Sequence, residues 1–193
     1  MAVKRLTDQE KIIKSLIFME EDNEYIIQKQ MELTLIPAPT FHEGKKAARL
    51  LQIFKDEGLE ECHIDDHGNI VGIRRGTKGN RKILVEAHMD TVFPPDTKLE
   101  IIRKDGWIYC PGITDNTRGD ACLISVIRAL DRYDIRTDAD IYFVGTVEEE
   151  GMGALGGMKY FLENNEVDAS ISVDGSGYQG VVFEATGIQT YEI

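Results

Sequence analysis

Long apolar runs are missing from this chain. No stretch approaches the ~20 consecutive apolar residues that a membrane-spanning helix needs. Cationic residues are also scarce: 22 Lys and Arg stand against 34 Asp and Glu, for a net charge of -12. Nucleic acid and anionic membranes attract basic surfaces, so neither is expected as a partner. Cysteine is sparse as well. Cys62, Cys110 and Cys122 form neither a close pair nor a metal-binding spacing, and an odd, scattered set suits a reducing, cytoplasmic compartment. They read as small buried apolar side chains. The N-terminal stretch MAVKRLTDQEKIIKSLIF places Lys11 and Lys14 where a secretory signal needs an unbroken apolar core.

What is present describes a folded domain. The 193 residues are 42% hydrophobic and 29% charged, enough for one proper core. Residues 8–31 have helical spacing, with Asp8 as a candidate N-cap. Pro37 and Pro39 enforce an extended loop. A helix is expected over residues 43–57, ended by Gly58. Strands are expected at Cys62–Ile64, Ile70–Ile73, Ile83–His88, Ala139–Val147, Ala169–Asp174 and Gly180–Ala185. Leu99–Arg103 and Trp107–Tyr109 flank a hairpin turn at Lys104–Gly106. Further helices are expected at residues 117–133 and 155–164. Alternating strands and helices predict an α/β three-layer sandwich with a mixed, largely parallel sheet.

The chemistry-bearing residues gather where these strands end. His88 and Asp90 lie two apart at the end of an apolar strand, so they point to one side. Asp115 precedes a helix. Glu148, Glu149 and Glu150 directly follow another apolar strand, and Asp174 closes a third. Singly, each has a plain reading: a structural histidine, a helix cap at Asp115 or Asn116, a solvated glutamate loop, a turn aspartate. Jointly, one imidazole and several carboxylates at neighbouring strand ends are the ingredients of a two-metal hydrolytic site.

The ordered set His88-x-Asp90, Gly112-Ile-Thr-Asp115-Asn-Thr-Arg118-Gly, Glu-Glu-Gly-x-Gly and Val-Asp174-Gly resembles the co-catalytic zinc peptidase family. That family includes peptidase T, carboxypeptidase G, aminoacylase, acetylornithine deacetylase and succinyl-diaminopimelate desuccinylase. The likeness covers the chain from about residue 30 onward and leans toward peptidase T. It implies His88, Asp115 and Asp174 as ligands of one metal, with Asp115 bridging to a second held by Glu150. It implies Asp90 as the carboxylate that orients His88, and Glu149 as the general base. A shifted register would make Glu148 the general base and Glu149 the ligand of the second metal. In the preferred register, Glu148 stands where close relatives have glycine. The implied cofactor is a pair of Zn2+ ions, with Co2+ or Mn2+ as substitutes.

The implied reaction is amide hydrolysis in small peptides or N-acyl amino acids by a two-metal activated water. The alternative is a truncated, non-catalytic module of the same fold that binds metal or peptide. Family members are about twice as long and carry a lid domain that mediates dimerisation. Residues 1–185 are therefore expected to be the N-terminal part of the catalytic domain, incomplete at its C-terminus, and residues 186–193 the start of a lid. A homodimer is expected through that lid.

Overall fold

The segments Lys82–His88 and Asp140–Thr146 are dominated by apolar and β-branched side chains, as strands covered on both faces must be. In the computed structural model, which describes residues 9–175, 180–184 and 187, they form the heart of a five-stranded sheet. The strands are β1 (Glu60–Ile64), β2 (Ile70–Arg74), β3 (Lys82–His88), β6 (Asp140–Thr146) and β7 (Ala169–Ser172), in the order β1-β2-β6-β3-β7. β3 runs parallel to both β6 and β7, while β2 is antiparallel to β1 and β6. β4 (Ile102–Lys104) and β5 (Trp107–Tyr109) form a separate hairpin. The expected mixed sheet is present.

Among the described residues, five α-helices cover it: α1 (Glu10–Glu21), α2 (Asn23–Thr34), α3 (Gly44–Asp56), α4 (Thr117–Arg132) and α5 (Gly156–Asn164). Strand side chains alternate, so β3 and β6 feed two separate cores. Ala87 and Phe143 meet Leu33, Leu50, Phe54, Leu123 and Ile124 from α2, α3 and α4. Leu84, Tyr142 and Val144 meet Phe161 of α5 on the opposite face. These are the three layers of the expected sandwich.

Several expectations need correction. The single helix over residues 8–31 is two, with Asp22 at the junction of α1 and α2; Asp8 lies outside the described residues. The carboxylate of Asp22 accepts two hydrogen bonds from Arg128 of α4, at 2.7 and 3.1 Å. The same guanidinium reaches Glu57 and lies 4.0 Å from the Tyr25 ring centroid. A tertiary anchor thus accompanies the break in a continuous helical pattern. Residues 180–184 form no strand, and Ala185 lies outside the described residues. Val181, Val182 and Phe183 have strand propensity, but a strand requires a partner, and none pairs with them among the described residues. The three cysteines are free and half-buried rather than fully buried.

Asp140 pins the start of β6. It accepts from the Gly76 N–H at 2.7 Å and from Arg75 at 2.7 Å. The Gly76 bond, aided by Arg75, outweighs burial and holds the Asp140 carboxyl below its usual range. A depressed folded-state pKa stabilises the fold above the unfolded value and loses that contribution as pH falls through the folded value. Asp140→Asn is therefore expected to cost about 1–3 kcal/mol at neutral pH. In urea titrations, the gap from wild type should close as pH falls below 3.8, the ordinary aspartate value.

Candidate metal centre

The parallel register of β3 and β6 sets the site. His88 lies opposite Thr146, so both strands end at the same level. The Met89 N–H donates to the Thr146 carbonyl at 2.8 Å, which carries the alignment one residue further. Asp90 and the Glu148–Glu150 segment consequently emerge side by side.

Asp90 is fully buried, and its oxygens accept from two backbone amides and a hydroxyl. Oδ1 accepts the Glu149 N–H at 3.0 Å. Oδ2 accepts the Glu150 N–H at 3.0 Å and the Thr40 hydroxyl at 2.9 Å. Burial alone would raise the Asp90 carboxyl, but His88, these two amides and Thr40 outweigh it and hold it low. The Asp90 carboxylate thus ties three segments together.

That anion also orients His88. The imidazole Nδ1 lies 3.4 Å from Asp90 Oδ1 and 3.1 Å from the Asp90 carbonyl oxygen. A carbonyl only accepts, so Nδ1 carries the proton in that contact and Nε2 is left to face the cluster. Nε2 lies 3.1 Å from Asp115 Oδ1, 3.8 Å from Asp174 Oδ1 and 3.9 Å from Glu149 Oε2. Burial pulls the imidazole pKa down. Asp90, Glu149 and Asp174 pull harder, and the net result is a value pushed up to about 9.

The helix-cap alternative at Asp115 is settled by its neighbour. Asn116 is the N-cap of α4, accepting the Gly119 N–H at 3.1 Å, and it donates to the Val173 carbonyl at 2.8 Å. Asn116 therefore fastens the start of α4 to the end of β7, drawing Asp115 and Asp174 toward one point. A Cβ at Gly119 would come within 2.5 Å of both Asn116 Oδ1 and the Val173 carbonyl, so this junction demands glycine. The Asp115–Asn116 peptide is cis.

Two sets of donors could each hold a cation. His88, Asp115 and Asp174 form one and His88, Glu149 and Glu150 the other, with ligand atoms within 4.8 Å of one another in each. Burial raises the Glu149 and Glu150 carboxyls, and neighbouring carboxylates add to the effect. Among the described ion pairs, His88 is the only cationic partner of Asp115, Glu149 and Asp174, and Glu150 has none. One imidazole among hard oxygen donors, with a surplus of negative charge, suits a divalent ion. Glu148 turns away to His67, whose Nε2 lies 3.0 Å from Glu148 Oε2. Glu149 and Glu150 are the glutamates that face His88.

Four supporting residues escaped the sequence reading. Glu43 Oε1 accepts the N–H groups of Phe41 at 2.9 Å and Glu148 at 3.2 Å. Asn69 Oδ1 accepts the Val147 N–H at 3.1 Å. Thr40 holds Asp90, as above. Thr40-x-x-Glu43 has the form of a capping box, and that pattern was the available signal; the structure sends both side chains to the site instead. Glu86 lies two residues before His88 on the same face of β3 and accepts from Thr146 Oγ1 at 3.0 Å. A charge within an apolar strand was its signal. Glu86, His88, Glu149, Leu155, Met158 and Asp174 surround a cleft of about 230 Å³.

With this fold and cluster the chain belongs to the peptidase family M20/M25/M40, whose pattern matches residues 84–189. One relative is a Pyrococcus furiosus protein named as a LysW-lysine/LysW-ornithine hydrolase, 32% identical over 175 residues, covering 91% of this chain and 48% of that protein. Aminopeptidase PepT from Bacillus cereus superposes with a TM-score of 0.68 at 29% identity, over 80% of this chain and 44% of PepT. A Staphylococcus aureus tripeptidase gives 0.66 at 26% identity, over 79% and 43%. The chain spans about half the length of the curated relatives it matches.

Because Asp90 both orients His88 and fixes the Glu149 and Glu150 amides, Asp90→Ala should weaken binding of an added divalent cation, with Zn2+ as the probe, by about 10–100-fold. Calorimetric zinc titration of the purified chain measures this directly.

Proposed function

We propose that the protein contributes the catalytic domain of a metal-dependent amide hydrolase acting on small peptides or N-acyl amino acids. The observation that carries this reading is the convergence of His88, Asp115, Glu149, Glu150 and Asp174 beside a cleft, with no Lys or Arg ion-paired to those acids among the described residues. His88, Asp115 and Asp174 would hold one divalent ion. Asp115 and Glu150 would contribute to a second. Zn2+ is the proposed metal, with Co2+ or Mn2+ able to replace it. Such ions, when bound, supply Lewis acidity that polarises a carbonyl and acidifies water.

The chain's own residues do the remainder. Asp90 keeps the Nδ1 proton of His88 in place, so that Nε2 presents its lone pair. Glu149 is the proposed general base. Its amide is fixed on Asp90, and burial raises its carboxyl toward the range where a carboxylate can accept a proton and return it. Glu149 Oε2 takes the proton from the attacking water and delivers it to the leaving nitrogen. Val147, Leu155 and Met158 line the adjoining cleft, a wall suited to an apolar part of the substrate.

The similarity to PepT and to a tripeptidase supports peptides as the substrate class; the hydrolase relative supports other amides of amino acids. Residues 1–185 are proposed as the catalytic domain's contribution, and 186–193 as leading toward a lid through which the protein dimerises. We assign it to the cytoplasm; among the described residues, no helix is long and apolar enough to cross a membrane. A non-catalytic binding module has weaker support, because a base candidate and both ligand sets converge on His88.

A panel of di- and tripeptides and N-acyl amino acids tests the reading. Hydrolysis should vanish on chelation and return with Zn2+ or Co2+. Glu149→Ala should lower turnover at least about 10²-fold while zinc still binds. Turnover that survives chelation would sink the metal mechanism, and an active Glu149→Ala enzyme would move the base elsewhere.

A further inference from the structure

A lysine lies buried beneath the candidate metal centre. Lys46, on the first turn of α3, has a side chain only 1% exposed. Its ammonium donates to the Met89 carbonyl at 3.0 Å and to Thr117 Oγ1 at 2.8 Å. It also lies 3.3 Å from Asp120 Oδ2, whose side chain is completely buried. Met89 sits between His88 and Asp90, and Thr117 is the first residue of α4, two positions after Asp115. One ammonium therefore clasps the two backbone segments that carry the proposed ligands.

Stability alone does not account for such a pair. Two charges lose their hydration on burial, and apolar side chains of similar volume often serve a core equally well or better. Neither Asp120 oxygen has a hydrogen-bond partner in addition to the ion pair. What apolar residues could not supply is the directional bond from Nζ to a carbonyl on one side and a hydroxyl on the other. His88 Nε2 and Asp115 Oδ1, 3.1 Å apart, stand on the two segments so joined. Asn116 ties the Asp115 turn to β7, and Asp90 ties the β3 exit to the glutamates. The Lys46 clasp joins those two halves.

We infer that Lys46, with Asp120 as its counter-ion, is a positioning residue that sets the spacing between the His88–Asp90 segment and the Asp115 turn. The inference rests on the metal-centre reading above. Lys46 is not among the donors that converge on His88, and it acts through Met89 and Thr117.

The test separates spacing from folding. Lys46→Met combined with Asp120→Leu removes both charges together and leaves neither unpaired. The double variant should keep a melting temperature close to wild type, yet bind zinc about 10–100-fold more weakly by calorimetry. A crystal structure of the double variant should show the His88–Asp115 separation changed. Should the double variant fail to fold, Thr117→Val decides. It preserves side-chain shape while deleting one of the two acceptors, and weaker zinc binding at unchanged melting temperature supports the inference. Wild-type zinc affinity in a folded double variant overturns it, as does unaltered affinity in Thr117→Val if the double variant does not fold. A wild-type chain that binds no zinc overturns the metal-centre reading itself, and this inference with it.

Discussion

Four consecutive backbone N–H groups, Val147 to Glu150, leave the end of β6 with nothing in the sheet to bond to. Buried side-chain oxygens take all four: Asn69 Oδ1, Glu43 Oε1, and then Asp90 Oδ1 and Oδ2. The rest of the site depends on this capture. Unpaired buried amides are costly, so the segment has one good conformation, the one in which these acceptors are reached. The acceptors come from three places: the β1–β2 connector, the cap of α3 and the exit of β3. Each is rooted in the core by strands or helices that pack for ordinary apolar reasons. The hydrophobic cores thus position the amides, and the amides position Glu149 and Glu150.

Charge explains why so much scaffolding is needed. Glu149 and Glu150 are adjacent, and Asp90, Asp115 and Asp174 are close by, all of like sign. Burial and neighbouring like charge raise the Glu149 and Glu150 carboxyls, and Asp90, Glu149 and Asp174 push His88 up to about 9. A divalent ion would offset this surplus of negative charge with one that all the donors share. The cost of keeping the acids together is met by neutral donors to Asp90 and by apolar packing around β3 and β6, neither of which consumes the lone pairs a metal would use.

Much of this was legible in the chain. The apolar runs of β3 and β6 gave their own limits to within a residue, because buried strands admit few polar side chains. The residues that converge on His88 were readable as types at strand ends. Tertiary effects were less accessible. Nothing in the helical periodicity before Asp22 foretells that Arg128, over a hundred residues later, will hold its carboxylate. Thr40 and Glu43 carry a local pattern that reads as helix capping, and only their proximity to Asp90 and Glu148 redirects them. Residues 180–184 have the composition of a strand, but propensity does not provide the partner.

Glu148 shows how a local rule and a distant contact are reconciled. It adopts φ 58, in the left-handed region where glycine is at ease and other residues are strained by about 1 kcal/mol or more. The resemblance implies glycine at this position in the preferred register, and a positive φ is the backbone reason glycine would suit it. This chain carries a side chain instead, and the structure gives it a place to go. The carboxylate reaches His67, which stacks on Tyr160 with ring centroids 5.0 Å apart. Gly156 leaves the room: a Cβ there would meet Glu148 Oε2 at 2.4 Å. The hydrogen bond offsets part of the backbone strain, and it draws the extra carboxylate away from a cluster already rich in them. The triple glutamate is thus divided by geometry, one residue bound to His67 beside α5 and two turned to His88.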